Sequence, residues 1–494
     1  MRRGGPFVKR TLLLLLVLAV GGVWLLAGAG PEPRREQVVS AGVPLEEVHP
    51  AGAGPHPGVV VAHGFSGSAR LMEPFGDSLA ARGYVVVLLD FAGHGANTGP
   101  LPDQTAGTDE STRVLQHDLD VALAHLRSLP DVDPARIAMV GHSMGAGAVT
   151  RYAADHPDVT ATVAISLPGA GAASPQGPAR LLAIVGGLEF PGFRSAATTV
   201  TDQRDDRALR VIPGVEHITV LYAPETHRQT VAWLDSAFGL PGDAAIPFPA
   251  RRLFGAALLV LAFLIGFHPL TALLSGRAAS PRSRAAGPRP GAPGMPRLGM
   301  TVLVSGVAAV AGVVVARFLP TTDLPIAIAG YVIGYATVTG ALLLLYGVRR
   351  PESPAVSSLR LLPVVPYAIV AIAVPVHLGL THAVPVGDRW WLLLIMWAAF
   401  ALISYAAERI AAGSTVLLLA ISAVFVVVLA AAAVAGLVSS FVVLALFPLV
   451  GLFLWQALWS AILHRFAAPA WLIALTGAVV LSWPLAVTLP LVSS

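Results

Sequence analysis

The chain has 494 residues, 55% of them hydrophobic and only 12% charged, with a formal net charge of +4 and no cysteine. Soluble domains carry about a quarter charged residues, so a wholly soluble chain is excluded, as is intrinsic disorder, which needs low hydrophobicity and high net charge; disulfide staples, thiolate zinc sites and cysteine nucleophiles go with the missing thiols. The basic excess lies in residues 1–30 and 251–494, whereas residues 31–250 hold 14 arginines against 24 acids, so positive charge accompanies apolar runs and reports membrane topology rather than nucleic-acid binding.

Residues 11–29, TLLLLLVLAVGGVWLLAGA, carry no charge and are long enough to cross a hydrocarbon core of about 30 Å. The basic segment before them and the Ala27-Gly28-Ala29 end fit either a signal sequence or a retained anchor. Both place the adjoining segment outside the cytoplasm. Residues 1–30 are therefore read as an N-terminal anchor and 31–250 as an extracytoplasmic domain.

Within that domain, apolar runs at 57–63, 84–90, 136–142, 159–167 and 181–187 alternate with helical patterns at 69–82, 111–129 and 143–155. Buried strands alternating with helices predict a doubly wound, mostly parallel α/β sheet with helices on both faces. In such sheets the reacting groups gather at the carboxyl ends of the strands. Three of the predicted strands end on residues with chemistry to offer.

The run RIAMV leads into Gly141-His142-Ser143-Met144-Gly145, a G-x-S-x-G sequence between a predicted strand and a predicted helix. The glycines allow a tight turn that projects the Ser143 hydroxyl above the sheet, and the helix N-terminus aims amides and a positive dipole end at the reacting oxygen. A serine hydroxyl needs a base, and the base needs an orienting carboxylate. Glu189 follows LLAIVGG and His217 follows VIPGVE, giving the order Ser143, Glu189, His217. Backbone amides of Phe65, after the turn at Gly64, and of Met144 are the expected oxyanion donors. His63, His94 and His142 are expected to orient loops by hydrogen bonding.

On these residues, 36–238 resemble the α/β-hydrolase superfamily. VVVAHGFSGS, YVVVLLDFAGHGANTG, IAMVGHSMGAGA and IPGVEHITV stand where that family has its oxyanion strand, Asp-x-x-Gly-His-Gly loop, nucleophile elbow and histidine loop; the elbow is similar to those of esterase and dienelactone-hydrolase-like members. The resemblance implies an acyl-serine intermediate, no metal or organic cofactor, and an acyl ester substrate, small or lipid. Aspartate is commoner than glutamate as the family's acid, which leaves Asp202, Asp205 and Asp206 as alternatives to Glu189. Only residues 168–180 lie where relatives insert a lid, so no lid domain fits. An open site lined by Phe65, Met144, Pro168, Phe190 and Phe193 is expected.

From residue 251 eight further apolar spans follow, at about 252–275, 299–319, 325–347, 361–384, 390–407, 414–436, 440–463 and 468–488, forming an all-α polytopic domain over 251–494. With the N-terminus inside, the alternate connections carrying Arg277 to Arg297, Arg349 to Arg360, Arg409 and Arg465 are cytoplasmic, among them the linker 276–298. His268, Arg317, His377, Glu408 and Gln456 are the polar groups inside or beside the spans. Arg317 and Glu408 lie near span ends and are expected to snorkel, and the two histidines to satisfy carbonyls freed by prolines.

The leading expectation is a membrane-bound serine hydrolase, a carboxylesterase acting outside the cytoplasm. A second is a transporter or lipid-handling protein whose hydrolase-like domain binds cargo, and a third a peptidase or acyltransferase with the same triad.

Overall fold

The computed structural model describes residues 6–28, 33–241, 245–276, 294–347 and 358–493, so most of the 276–298 linker lies outside the described residues. An apolar helix, α1 (Pro6–Ala27), leads into an eight-stranded sheet made of β1 (Arg34–Ser40), β2 (Val43–His49), β3 (His56–Ala62), β4 (Val85–Leu89), β5 (Val132–His142), β6 (Ala161–Ile165), β7 (Leu181–Gly186) and β8 (Ala208–Ile212). The strand order is β1-β2-β4-β3-β5-β6-β7-β8. From β4 to β8 all neighbours are parallel, while β1 and β2 pair antiparallel.

The valine run of β3 hides a period of two. Val60 and Ala62 pack on one face with Leu115, Leu119 and Ala122 of α3 (Asp109–Ser128). Val59 and Val61 pack on the other with Phe75 and Leu79 of α2 (Glu73–Ala80) and Leu234 of α6 (Pro224–Phe238). Covering both faces is what makes the run continuously apolar. The remaining helices of this half are α4 (Met144–Asp155) and α5 (Pro191–Thr201). Residues 168–180 form a loop with one short turn at Ala170–Ala172, and no lid domain is present there. The β1–β2 hairpin departs from the sequence-based reading. RREQVVS is polar because it is a half-solvated edge strand, and it turns at Ala41 and Gly42, both with positive φ.

The second half is all helical: α7 (Arg251–Leu274), α8 (Met295–Ala316), α9 (Ala329–Gly347), α10 (Val364–Gly379), α11 (Arg389–Ala411), α12 (Thr415–Val434), α13 (Val443–Arg465) and α14 (Ala470–Thr488). With α1, nine helices among the described residues are long and apolar enough to cross a membrane, the pattern of a multi-pass membrane protein. α1 lies against α7 at paired glycines, where a Cβ on Gly255 would stand 2.9 Å from the Gly22 carbonyl. Small residues permit such backbone approach.

Glu408 does not snorkel. It is buried in α11, where its carboxylate accepts from Ser460 Oγ at 2.6 Å and pairs with His464 Nε2 at 2.7 Å, both on α13. One helical turn away Gln456 Nε2 donates to Ser404 Oγ at 2.9 Å, so the polar groups of α11 face α13 rather than lipid. His377 Nδ1 accepts the Ala383 amide at 3.3 Å.

The two halves are docked. Ile328, between α8 and α9, donates its amide to Gln104 Oε1 at 2.8 Å. Thr381 and His382, between α10 and α11, both bond Ser68 Oγ, at 2.9 and 3.1 Å. Arg389 Nη2 donates to the Gly93 carbonyl at 2.6 Å, which also accepts the Leu491 amide at 2.8 Å. Arg252, at the start of α7, pairs with Glu73 of α2. These contacts all come from one end of the helical bundle.

Candidate active site

β5 ends at His142 and α4 begins at Met144, so Ser143 alone makes the turn, with φ +51° and ψ −116°. A serine pays for positive φ in backbone strain, and hydrogen bonds hold it there: its amide donates to the Ile165 carbonyl at 2.8 Å, and its carbonyl accepts the Gly147 amide at 3.0 Å. A Cβ on Gly145 would lie 2.5 and 2.6 Å from the carbonyl oxygens of His63 and Ala62, so the first turn of α4 is pressed onto the end of β3. Met144, the first residue of α4, carries the helix N-terminal amide next to Ser143.

The loop after β3 closes over the serine from the other side. A Cβ on Gly64 would come 3.1 Å from Ser143 Cβ, and the chain then turns back through the Gly67 amide to the Gly64 carbonyl at 2.9 Å. Phe65 and Met144 therefore flank Ser143 on two sides.

His217 lies in the loop after β8, with Nε2 3.1 Å from Ser143 Oγ. Its carbonyl accepts from His142 Nε2 at 3.0 Å, and the Phe193 ring lies 4.6 Å from the imidazole. Burial pushes His142 down to about 3, with the neighbouring His217 acting the same way, so His142 is a neutral donor that fixes the His217 backbone. His63, lowered to about 4 by burial, donates from Nδ1 to the Gly64 carbonyl at 2.8 Å and accepts the Phe91 amide at 3.1 Å. These histidines hold loops, as the sequence-based reading expects.

Glu189 faces His217, with Oε2 3.5 Å from Nδ1. That exceeds a hydrogen bond of about 2.7–3.2 Å, yet both atoms are buried and neither has another hydrogen-bond partner. The other oxygen, Oε1, accepts from Ser166 Oγ at 2.6 Å and from the Gly186 amide at 3.0 Å. Of the alternative acids, Asp206 is engaged with Arg204, and Asp202 caps the end of α5; the ion pair of His217 is with Glu189. Sequence reasoning misses Ser166, although its place directly after β6 is the kind of strand end where such residues collect.

The expectation of an open site needs correction. Phe65 does not stand free at the mouth: its ring meets Phe441, between α12 and α13, edge-on at 5.2 Å, so the helical half supplies one wall. Sequence spacing holds no trace of this, since the two rings meet only through docking. Phe190 is exposed, and Pro168 lies near Gly147 of α4 at 3.7 Å from a Cβ built there. An imidazole within reach of a hydroxyl, a carboxyl behind it and a helix N-terminus beside it can together remove a proton and favour an oxyanion. Among the described residues no group of three or more His, Cys, Asp or Glu side chains is arranged to hold a metal ion.

A family model and several known proteins match part of the chain. A family model described as serine aminopeptidase, S33, matches residues 53–211. Cutinase 1 of Thermobifida cellulosilytica is 30% identical over 108 residues, 22% of this chain and 38% of the relative. A putative non-heme haloperoxidase of Mycobacterium phage D29 is 38% identical over 99 residues, 20% of this chain and 31% of the relative. The chain thus spans about a third of the length of these curated relatives. Among solved structures, the dienelactone hydrolase from Anabaena variabilis shows 22% identity and a TM-score of 0.32, covering 42% of this chain and 97% of its own. An esterase/lipase from an uncultured bacterium shows 16% identity and a TM-score of 0.34, covering 48% and 99%.

Proposed function

From an N-terminal half that is an α/β-hydrolase superfamily domain, we propose that this protein is a membrane-bound serine hydrolase, a carboxylesterase working through an acyl-serine intermediate. The observation that carries the reading is the 3.1 Å approach of His217 Nε2 to Ser143 Oγ at a strained strand-to-helix turn. Ser143 Oγ attacks the ester carbonyl while its proton passes to His217 Nε2. Glu189 stabilises the imidazolium through Nδ1, and the amides of Phe65 and Met144 receive the oxyanion. The tetrahedral adduct then breaks its bond to the alcohol oxygen, which takes the proton from His217, and water repeats the sequence to release the acid and restore Ser143.

A fluorophosphonate probe tests the assignment directly. The parent protein labels and Ser143→Ala does not; absence of labelling in the parent, or equal labelling of both, removes the reading. The family model's description as an aminopeptidase favours a second reading, amide hydrolysis by the same groups. A panel of acyl esters and aminoacyl amides separates the two by their kcat/KM values.

We place the hydrolase half outside the cytoplasm. Of the 14 arginines from residue 251 on, four, Arg251, Arg252, Arg317 and Arg389, stand at helix ends on the side that meets it, while ten lie in or beside the opposite connections, among them Arg297, Arg360, Arg409 and Arg465. That distribution follows the positive-inside rule. Alkaline phosphatase fused after residue 240 is expected to be active, and fused within 276–298 inactive; the reverse pattern inverts the topology.

A further inference from the structure

Among the described residues of the α/β half, 33–241, five large apolar side chains are exposed: Val39, Leu188, Phe190, Val211 and Ile218. Val39 and Val211 lie on β1 and β8 at the two edges of the sheet. The other three occupy the two loops that carry Glu189 and His217. An exposed apolar cluster gathered at one place marks a contact surface, and here that place is the rim of the site.

The opposite rim belongs to the helical half. The Gly64 backbone lies against Ser143, the next residue is Phe65, and the Phe65 ring rests on Phe441 at 5.2 Å. Phe441 sits in the short turn Ser440–Val442 that joins α12 to α13, two of the helices long and apolar enough to span a membrane. One side chain thus separates the nucleophile from the end of a membrane helix pair. On the same corner Val434, Leu437 and Phe447 are exposed, Phe447 at 83%. Exposed apolar side chains thus lie on both helices that the Phe441 turn joins, and Phe441 itself meets Phe65.

We propose that the substrate is an acyl glycerolipid that stays in the bilayer while it reacts. Its acyl chain lies along the α12–α13 corner, its ester carbonyl reaches Ser143 past Phe65, and Phe441 selects for the long chain. This rests on the serine-hydrolase reading and narrows it to one substrate class. The physical reason for such a path is partition: each methylene drawn from lipid into water lowers the population about fourfold, so a site that required a long-chain lipid to leave the bilayer would almost never be filled. A wall built from the end of a membrane helix pair removes that penalty. In the reaction the Ser143 Oγ–acyl bond forms as the glycerol oxygen–acyl bond breaks, the glycerol oxygen takes the proton held by His217, and water then releases the fatty acid and restores the serine.

The test uses the full chain reconstituted in vesicles of dioleoylphosphatidylglycerol, with oleate release followed by mass spectrometry, beside hydrolysis of p-nitrophenyl acetate by the same preparation. The parent is expected to release oleate, and Ser143→Ala to release none. In Phe441→Asp the ratio of oleate release to p-nitrophenyl acetate hydrolysis is expected to fall about tenfold or more, and in Phe441→Leu to stay within about twofold of the parent. Should Phe441→Asp fail to fold, Phe447→Asp, on the exposed flank, lowers the same ratio. Hydrolysis of p-nitrophenyl acetate without oleate release, or a ratio unmoved by these substitutions, overturns the lipid assignment and leaves the hydrolase reading standing. If neither ester is hydrolysed and Ser143 resists the fluorophosphonate, both fall together.

Discussion

The carboxyl group of Glu189 has one oxygen tied to Ser166 and the Gly186 amide, and the other directed at His217 Nδ1 from 3.5 Å. It is anchored by its neighbours, and the imidazole approaches it rather than holding it. Apo sites often show such a loose contact, which tightens when the base takes up its proton. Gln at this position keeps an oxygen for Ser166 and Gly186 but loses the charge that stabilises the imidazolium. Glu189→Gln is therefore expected to lower kcat by a factor of about 10² to 10⁴ while KM changes little. Steady-state kinetics on a short-chain ester checks this, and a kcat within about threefold of the parent would move the acid role elsewhere. The neighbouring His142 works through the backbone: it is buried and neutral, and it donates to the carbonyl of the residue whose side chain meets Ser143.

At the scale of elements, the junction of β3, β5 and α4 decides where the hydroxyl points. Residue 145 has backbone carbonyls of β3 and its following loop within 2.6 Å of where a Cβ would be, and backbone cannot yield as the end of a side chain can. Gly145→Ala must push α4 away from β3, which carries Met144 and Ser143 with it. Overpacking of this kind costs about 1–3 kcal/mol, and a displacement of about 1 Å can cost about a hundredfold in rate. The expected result is a folded protein with a lowered thermal midpoint and weak fluorophosphonate labelling; a variant as active as the parent would show that the elbow tolerates movement. In the helical half α11 and α13 are matched by their polar residues, Ser404 with Gln456 and Glu408 with Ser460 and His464. Each would be costly in lipid alone, and together they fix how the two helices meet.

Across the whole molecule, buried histidines tie the folded state to pH. Burial lowers His63 and His227 to about 4 and His142 to about 3, and holds His94 well below its ordinary value of 6.5. The unfolded chain binds protons at these positions near pH 6.5 and the folded chain refuses them. Their contribution is thus intact above pH 6.5 and is lost as pH falls toward the folded-state values, at about 1.4 kcal/mol per pH unit for each histidine, or about 5 kcal/mol per unit for the four together. The thermal midpoint of the detergent-solubilised protein is expected to fall steeply between pH 6.5 and 5; a midpoint constant over that range would mean that the histidines are not buried neutral. The same scale holds the docking of the halves. Gly93, in the Asp-x-x-Gly-His-Gly loop, receives both Arg389 and the Leu491 amide, and the His94 ring next to it packs edge-on against Phe65 at 5.7 Å. The helical bundle is thereby connected to the loop beside the proposed oxyanion donor.

Local and periodic features were legible in the amino-acid order alone: valine runs that can only be buried strands, a serine between strand and helix flanked by glycines, and nine apolar stretches of bilayer length. Each depends on residues within a turn or two of one another, so spacing suffices to read it. The β1–β2 hairpin escaped because β1 is a half-solvated edge strand and because β2 carries Glu46, Glu47 and His49, polar residues buried in pairs with Arg35, His125 and Asp131. Only the tertiary structure decided that Ser143 and His217, 74 positions apart, come within 3.1 Å, that Ser166 supports Glu189, that Glu408 finds His464, and that Phe441 walls the site. Those meetings are set by the summed packing of two docked halves, a quantity that no single segment contains.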